Sequence, residues 1–224
     1  MASRAAFWHA LGGFVEKEPI YVKICGVTRV SDALLCLEAG ASAIGLNFVP
    51  SSKRRIDERT AQDIVTAVRG RLGVVAVVAG LSLSEMKRFR ERTGIDWLQL
   101  HGNESPSDLD GVLPHALKAV RIGGADDVRA ARLYHGDRLL LDAKIEGELG
   151  GTGAAFDWRL AADLARQRAV VLAGGLSPDN VGHAVRIVRP FGVDVASGVE
   201  SAPGVKDPAS VRAFVHEARR ASVE

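Results

Sequence analysis

The sequence predicts a closed barrel of eight parallel strands, each followed by a helix. Three observations point there. From Tyr21 onward, short apolar runs alternate with longer segments of helical periodicity, the pattern of parallel strands joined by crossover helices. The runs number eight, and eight strand-helix units in about 200 residues suit a (β/α)8 TIM barrel, an α/β fold, at the short end of its range. An open doubly wound sheet is the alternative, but it usually changes strand order and often carries a Gly-rich turn after its first strand, and neither sign is found here.

The units follow in order. The run Tyr21 to Cys25 leads into a helix over Val30 to Glu38. Ser42 to Phe48 and Gly73 to Val78 are the next strands, followed by periodic stretches over Glu58 to Arg69 and Leu83 to Glu91. Strands over Asp96 to Leu100 and Ala116 to Val120 precede helices over Pro106 to Leu113 and Ala125 to Leu133. Arg138 to Asp142, Ala169 to Ala173 and Gly192 to Ala196 complete the strands, with helices over Asp157 to Arg166, Pro178 to Val188 and Pro208 to Arg219. The run Val74 to Val78 is apolar throughout, as expected where helices cover one face and packed side chains fill the other. Ser177 before Pro178 and Asp207 before Pro208 read as N-caps followed by proline at the first helical position. The expected organisation is one barrel domain over 20–224, preceded by an extension, 1–19, of unassigned structure.

Composition excludes several classes. The 224 residues are 47% apolar, and a chain of this size buries roughly 70% of its extended surface, enough for a core without staples. Lys and Arg number 29 against 27 for Asp and Glu, a net +2, which is no footprint for nucleic acid or an anionic membrane. Cys25 and Cys36 are too few for a disulfide framework and suit a reducing compartment, so the expected location is the cytoplasm. No apolar run approaches membrane-spanning length. The patch Phe7 to Val15 is broken by His9, Gly12 and Gly13 and lacks a small-residue cleavage site, so no signal peptide is expected. The helix faces leave monomer and homodimer both open.

In such a barrel the chemistry sits where the strands end. The first strand ends in Cys25 and Gly26, presenting a thiol to that face; a small buried hydrophobe is the plainer role for a cysteine, and Cys36, among leucines on a helix, fits that role better. The sixth strand carries Asp142 out of a leucine run. Burial there would hinder ionisation, so Asp142 suits a general acid, while a thiol made more acidic by its surroundings suits a general base. A loop hydrogen bond is the alternative for Asp142. Gly174 and Gly175 follow the seventh strand and Ser197 and Gly198 the eighth. Those two loops build the recurring phosphate site of these barrels, although simple tight turns look the same in sequence. Arg54, in a cationic loop after the second strand, offers a planar fork for a carboxylate, or belongs to a solvated loop. His101 ends the fourth strand and suits neutral hydrogen bonding. The loop Gly147 to Gly153 reads as a lid or a connector. The six histidines show no zinc spacing and there is no Gly-x-Ser-x-Gly elbow, so no metal is expected.

Together these ends resemble the phosphoribosylanthranilate isomerase family from Val22 to the last helix. The resemblance rests on Val22-Lys-Ile-Cys-Gly-Val-Thr28, Ser52-Lys-Arg54, Leu98-Gln-Leu-His-Gly102, Leu140-Leu-Asp142, Gly150-Gly-Thr-Gly153 with Phe156-Asp-Trp158, Gly174-Gly-Leu-Ser-Pro-Asp-Asn180 and Asp194-Val-Ala-Ser-Gly-Val-Glu200. It implies a cofactor-free Amadori rearrangement of a phosphorylated small molecule, with Asp142 as acid, Cys25 as base, Arg54 on the anthranilate carboxylate, the Gly174-Gly175 and Ser197-Gly198 backbones on the phosphate, and Asp194 touching substrate. The sequence departs from the family at Ala79 and Gly80, where a Phe-x-Asn ending is usual, and at Ala154 and Ala155. Two other functions are weighed. The sister isomerase of histidine biosynthesis resembles a two-phosphate, two-aspartate barrel, unlike this chain, and a barrel that binds a phosphorylated ligand without turnover is opposed by Cys25, Asp142 and Arg54.

Overall fold

The computed structural model describes residues 19–95, 97–143 and 158–223. The expected extension up to residue 18, the lid Gly147 to Gly153 and the Ala154–Ala155 departure lie outside the described residues. Strands β1 (Tyr21–Cys25), β2 (Ala43–Asn47), β3 (Gly73–Val78), β4 (Trp97–Leu100), β5 (Ala116–Ile122), β6 (Arg138–Ala143), β7 (Ala169–Ala173) and β8 (Gly192–Val195) alternate with helices α1 (Val30–Glu38), α2 (Glu58–Val68), α3 (Leu83–Thr93), α4 (Pro106–Asp110), α5 (Ala125–Ala131), α6 (Trp158–Ala165), α7 (Val181–Val188) and α8 (Pro208–Val223). The strands pair in chain order and close into a barrel, because β1 is parallel partner to both β2 and β8.

The two faces of each strand bury in different places. Outward residues such as Val22, Ile24, Leu98, Leu139 and Leu141 join the helices in the main core. Inward residues Ala43, Val75, Leu117, Leu140 and Val171 pack inside the barrel, as a closed parallel sheet covered by helices requires. At its N-terminal end the Arg138 guanidinium lies over the Trp97 and Phe191 rings, 5.2 and 4.8 Å from their centroids, a cation–π closure of that mouth.

Helix starts follow hydrogen bonding. Asp207 caps α8 by accepting from the Ser210 N–H at 2.7 Å, with Pro208 opening the helix as expected. The helix expected from Pro178 begins instead at Val181, with Asn180 as its N-cap residue. Asn180 ties the preceding residues into a turn: its Oδ1 accepts from the Ser177 N–H at 2.8 Å and its Nδ2 donates to the Gly175 carbonyl at 2.9 Å. Two strand positions after β8 were not expected, β9 (Glu200–Ala202) and β10 (Val205–Lys206), which form an antiparallel hairpin at the barrel rim.

Phe214 of α8 is fully buried in the main core. Phe214→Ala should cost about 3–5 kcal/mol of stability through lost burial and the cavity left behind, seen as a lower urea midpoint with an unchanged slope.

Candidate active site

Because parallel strands all end at the same rim, the last residues of β1, β2, β4, β6, β7 and β8 surround one cavity of about 360 Å³. Cys25, Arg54, His101, Asp142, Gly174, Gly175, Asp194 and Ser197, expected from different parts of the chain, all line it. Gly198 stands directly behind Ser197 in a 3-10 turn, Ser197–Val199.

Cys25 is half-buried at the end of β1, while Cys36 is fully buried on α1. Two residues below Cys25 on the same face of the strand, the side chain of Lys23 is only 2% exposed and its Nζ donates to Asp194 Oδ1 at 2.9 Å. Burial would strip the lysine of its proton, but the Asp194 carboxylate and the neighbouring sulfur outweigh burial and hold the ammonium above the ordinary lysine range. The thiol moves the other way from expectation: burial pushes Cys25 up, Lys23 opposes that and Asp194 reinforces it. The expected acidic thiol is therefore not met in the chain by itself.

Arg54 lies across Gly26, where a Cβ would come 2.3 Å from its Cδ, and Gly26 also takes a left-handed φ of +74°. Only glycine allows that passage. Arg54 Nε and Nη2 grip Glu200 at 2.8 and 2.6 Å, a bidentate fork of the kind arginine favours. Lys206 holds the other side of the same carboxylate, its Nζ donating to Glu200 Oε1 at 2.8 Å and to the Cys25 carbonyl at 2.6 Å. Burial pushes the Glu200 carboxyl up, yet the hydrogen bonds from Arg54 and Lys206 prevail and keep it below the usual glutamate range.

Asp142 differs from the enclosed carboxyl expected of it: its side chain is 31% exposed on the cavity wall. The β6 strand runs one residue further, to Ala143, and delivers the carboxylate past the leucine run. Its neighbour is His101, whose Nε2 stands 3.6 Å from Asp142 Oδ2. Gln99, two residues back on β4, contacts His101 Nδ1 at 2.9 Å and so fixes the ring's plane. Below them Glu104 clasps the rim, accepting from the Gly80 and Gly102 N–H groups at 2.8 Å each and from Lys118 Nζ at 2.9 Å.

The two glycine loops touch. A Cβ on Gly198 would sit 2.0 Å from the Leu176 carbonyl oxygen, so the turn after β8 presses against the loop after β7. Gly174 and Gly175 both have positive φ, which turns that loop sharply toward the cavity. The pair offers clustered main-chain N–H groups to an oxyanion. Among the described residues, no three His, Cys, Asp or Glu side chains are grouped to hold a metal ion, and no helix is long and apolar enough to cross a membrane.

Residues 22–217 match the model of the N-(5'phosphoribosyl)anthranilate (PRA) isomerase family. The chain belongs to that family. A Pseudomonas aeruginosa N-(5'-phosphoribosyl)anthranilate isomerase is 46% identical over 203 residues, covering 89% of this chain and 95% of the relative. The Thermotoga maritima phosphoribosyl anthranilate isomerase structure superposes with a TM-score of 0.82 at 36% identity, over 90% of this chain and 99% of that one. Another phosphoribosyl anthranilate isomerase, solved in complex with reduced 1-(o-carboxyphenylamino)-1-deoxyribulose 5-phosphate, gives 0.79 at 34% identity, with coverages of 90% and 99%.

Within this family member, the sequence reading overlooked Lys23, Gln99, Glu200 and Lys206 as parts of the site. Lys23 carried a signal: it is a lone cation, in step with Cys25, inside an apolar strand. Glu200 closes the Asp194–Glu200 motif but had no role assigned to it, and Lys206 carried no signal, since a short hairpin has no periodicity to read.

The Arg54–Glu200–Lys206 cluster makes stability pH-dependent. Glu200 binds protons less readily folded than unfolded, so its contribution is complete above the ordinary glutamate value of 4.5 and is lost as pH falls through the lower folded value. Glu200→Gln should therefore unfold with a shallower loss of stability below about pH 4.5 than the parent chain, measured by urea midpoints across pH 3 to 6 in buffers of about equal ionic strength.

Proposed function

We propose that this chain is a cytoplasmic enzyme of tryptophan biosynthesis that converts N-(5'-phosphoribosyl)anthranilate into 1-(2-carboxyphenylamino)-1-deoxyribulose 5-phosphate. The observation that carries this reading is that one cavity is lined by a thiol, a carboxyl, an arginine and the two glycine loops that can hold an anion.

The chemistry follows from those groups. The substrate phosphate docks on the N–H groups of the Gly174–Gly175 loop and the Ser197–Gly198 turn, and the anthranilate carboxylate meets Arg54. Asp142, as general acid, gives a proton to the ribose ring oxygen. The C1–O bond breaks as the anilino nitrogen lone pair forms C1=N, opening the furanose to an iminium. Cys25, as thiolate, takes the proton from C2. The C2–H electrons become the C1=C2 bond of an enolamine, and the C=N pair returns to nitrogen. The enol then loses its hydroxyl proton and C1 gains one, giving the ketose. No electrons leave or enter, so the rearrangement needs no redox partner. His101, 3.6 Å from the Asp142 carboxyl, is near enough for its charge state to bear on that group.

Asp142→Asn and Cys25→Ser should each cut turnover by about 10²- to 10⁴-fold with little change in KM, as loss of a general acid or base does. Arg54→Ala should chiefly raise KM. The loss of anthranilate fluorescence with substrate generated in place measures all three. Binding without any fluorescence loss in the parent chain would reduce the protein to a phosphate-ligand receptor.

A further inference from the structure

Among the described residues, the barrel interior holds one buried ion pair, set in apolar packing that also contains the buried Gln99 of β4. Ala43, Val75, Ala119 and Val171 form the surroundings, and Lys23 and Asp194 face each other across the β1–β8 seam, at paired positions of the sheet register. Asp194 is 7% exposed and Lys23 2%. A buried ion pair of this kind is no general stabiliser, since hydrophobic residues of similar volume often do as well. Its place suggests another use. Lys23 and Cys25 are two apart on one strand and project to the same side. Gly45 of β2 stands beside both: a Cβ there would lie 2.6 Å from Cys25 Sγ and 3.0 Å from Lys23 Nζ. The missing side chain lets ammonium and sulfur crowd the same small volume.

We infer that Lys23 is a positioning residue for the proton-transfer step, its ammonium holding the Cys25 sulfur as a thiolate while Asp194 sets how much of that positive charge the sulfur feels. This rests on Cys25 being the base that takes the C2 proton. The thiol proton leaves to solvent ahead of the base step, the thiolate accepts the substrate's C2 proton, and the ammonium keeps its three protons throughout. The inference explains why a largely apolar interior keeps two opposite charges, one on each strand at the seam. Lys alone would favour the thiolate strongly, and Asp194 moderates it, which leaves the sulfur basic enough to accept a proton.

Other charges also face Cys25. Lys206 of β10 bonds its carbonyl, Tyr21 lies below it on β1, and Arg54 crosses above Gly26. Asp142, His101 and Arg121 look on from the far wall of the cavity. None of these shares the Gly45 volume with the sulfur. The two partners of the pair should therefore act on the thiol with opposite sign, a signature that loosened packing would not produce.

The test is the pH dependence of iodoacetamide alkylation at Cys25 in the free full-length protein, localised by peptide mass so that Cys36 does not interfere. Lys23→Met should move the midpoint up by about one pH unit, as loss of an opposite charge within a few ångströms does. Asp194→Asn should move it down, and Lys23→Arg should restore most of the parent behaviour. The acid limb of kcat/KM should follow the same shifts. Midpoints that stay put, or that move the same way in both charge-removing variants, overturn the inference. If Lys23→Met fails to fold, Asp194→Asn decides alone: a downward shift supports it and any other result overturns it. Alkylation is read without substrate, so failure of the isomerase reading would appear separately, as no fluorescence loss with the parent chain, and failure of Cys25 as base as full turnover in Cys25→Ser.

Discussion

Closing a sheet of eight parallel strands obliges β1 to share its edges with β2 and β8, and that seam governs the site. It brings the thiol of the first unit beside the anion cradle of the last, though 172 positions separate Cys25 from Ser197. It also sets Lys23 level with Asp194. The crossover helices then carry each strand's end to the same rim, so Asp142 of β6 arrives at the same cavity as Cys25 of β1. Placement of the chemistry is thus a property of ring closure, and the loops only refine it.

Charge is organised around that seam in two levels. On the floor, Lys23 and Asp194 neutralise each other beneath the sulfur. At the rim, Glu200 stands between two cations, Arg54 and Lys206, and Lys206 also gathers the carbonyls of Cys25 and Ala196 at 2.6 and 3.2 Å. The ends of β1 and β8 are thereby stitched by one buried ammonium. The arginine that faces the cavity is held from behind by a bidentate carboxylate, and so enters binding with little side-chain freedom left to lose.

Much of this was legible before the structure. Apolar runs of five to seven residues marked the strands, and the ends of those runs and the loops after them pointed to Cys25, Asp142, Gly174, Gly175, Ser197 and Arg54, because a parallel barrel turns the question of where the chemistry sits into the question of how each strand finishes. What sequence could not supply was the vertical dimension. Whether Asp142 is enclosed depends on how far β6 runs and on what stands opposite, neither of which has a local signature. The thiol's acidity depends on burial and the Asp194 carboxylate of β8, which push it up, against the Lys23 ammonium, which pulls it down. The start of α7 was misplaced because Ser-Pro is a strong local signal, and the turn made by Asn180 with Ser177 and Gly175 overrode it.

The Glu104 clasp bears on the departures at Ala79 and Gly80. Both of its loop contacts are with main-chain N–H groups, which every residue but proline possesses. Such a grip asks nothing of the Ala79 side chain, while Gly80, at φ +70°, and Gly102, whose Cβ would come 2.7 Å from Glu104 Oε1, suit glycine. The rim between β3 and β4 keeps its register through the backbone, without the Phe-x-Asn side chains that the family resemblance led one to expect there. The third strand's tip is thus a place where a protein can change its text while keeping its shape, and where new contacts at the mouth can be tried without first loosening the ring beneath.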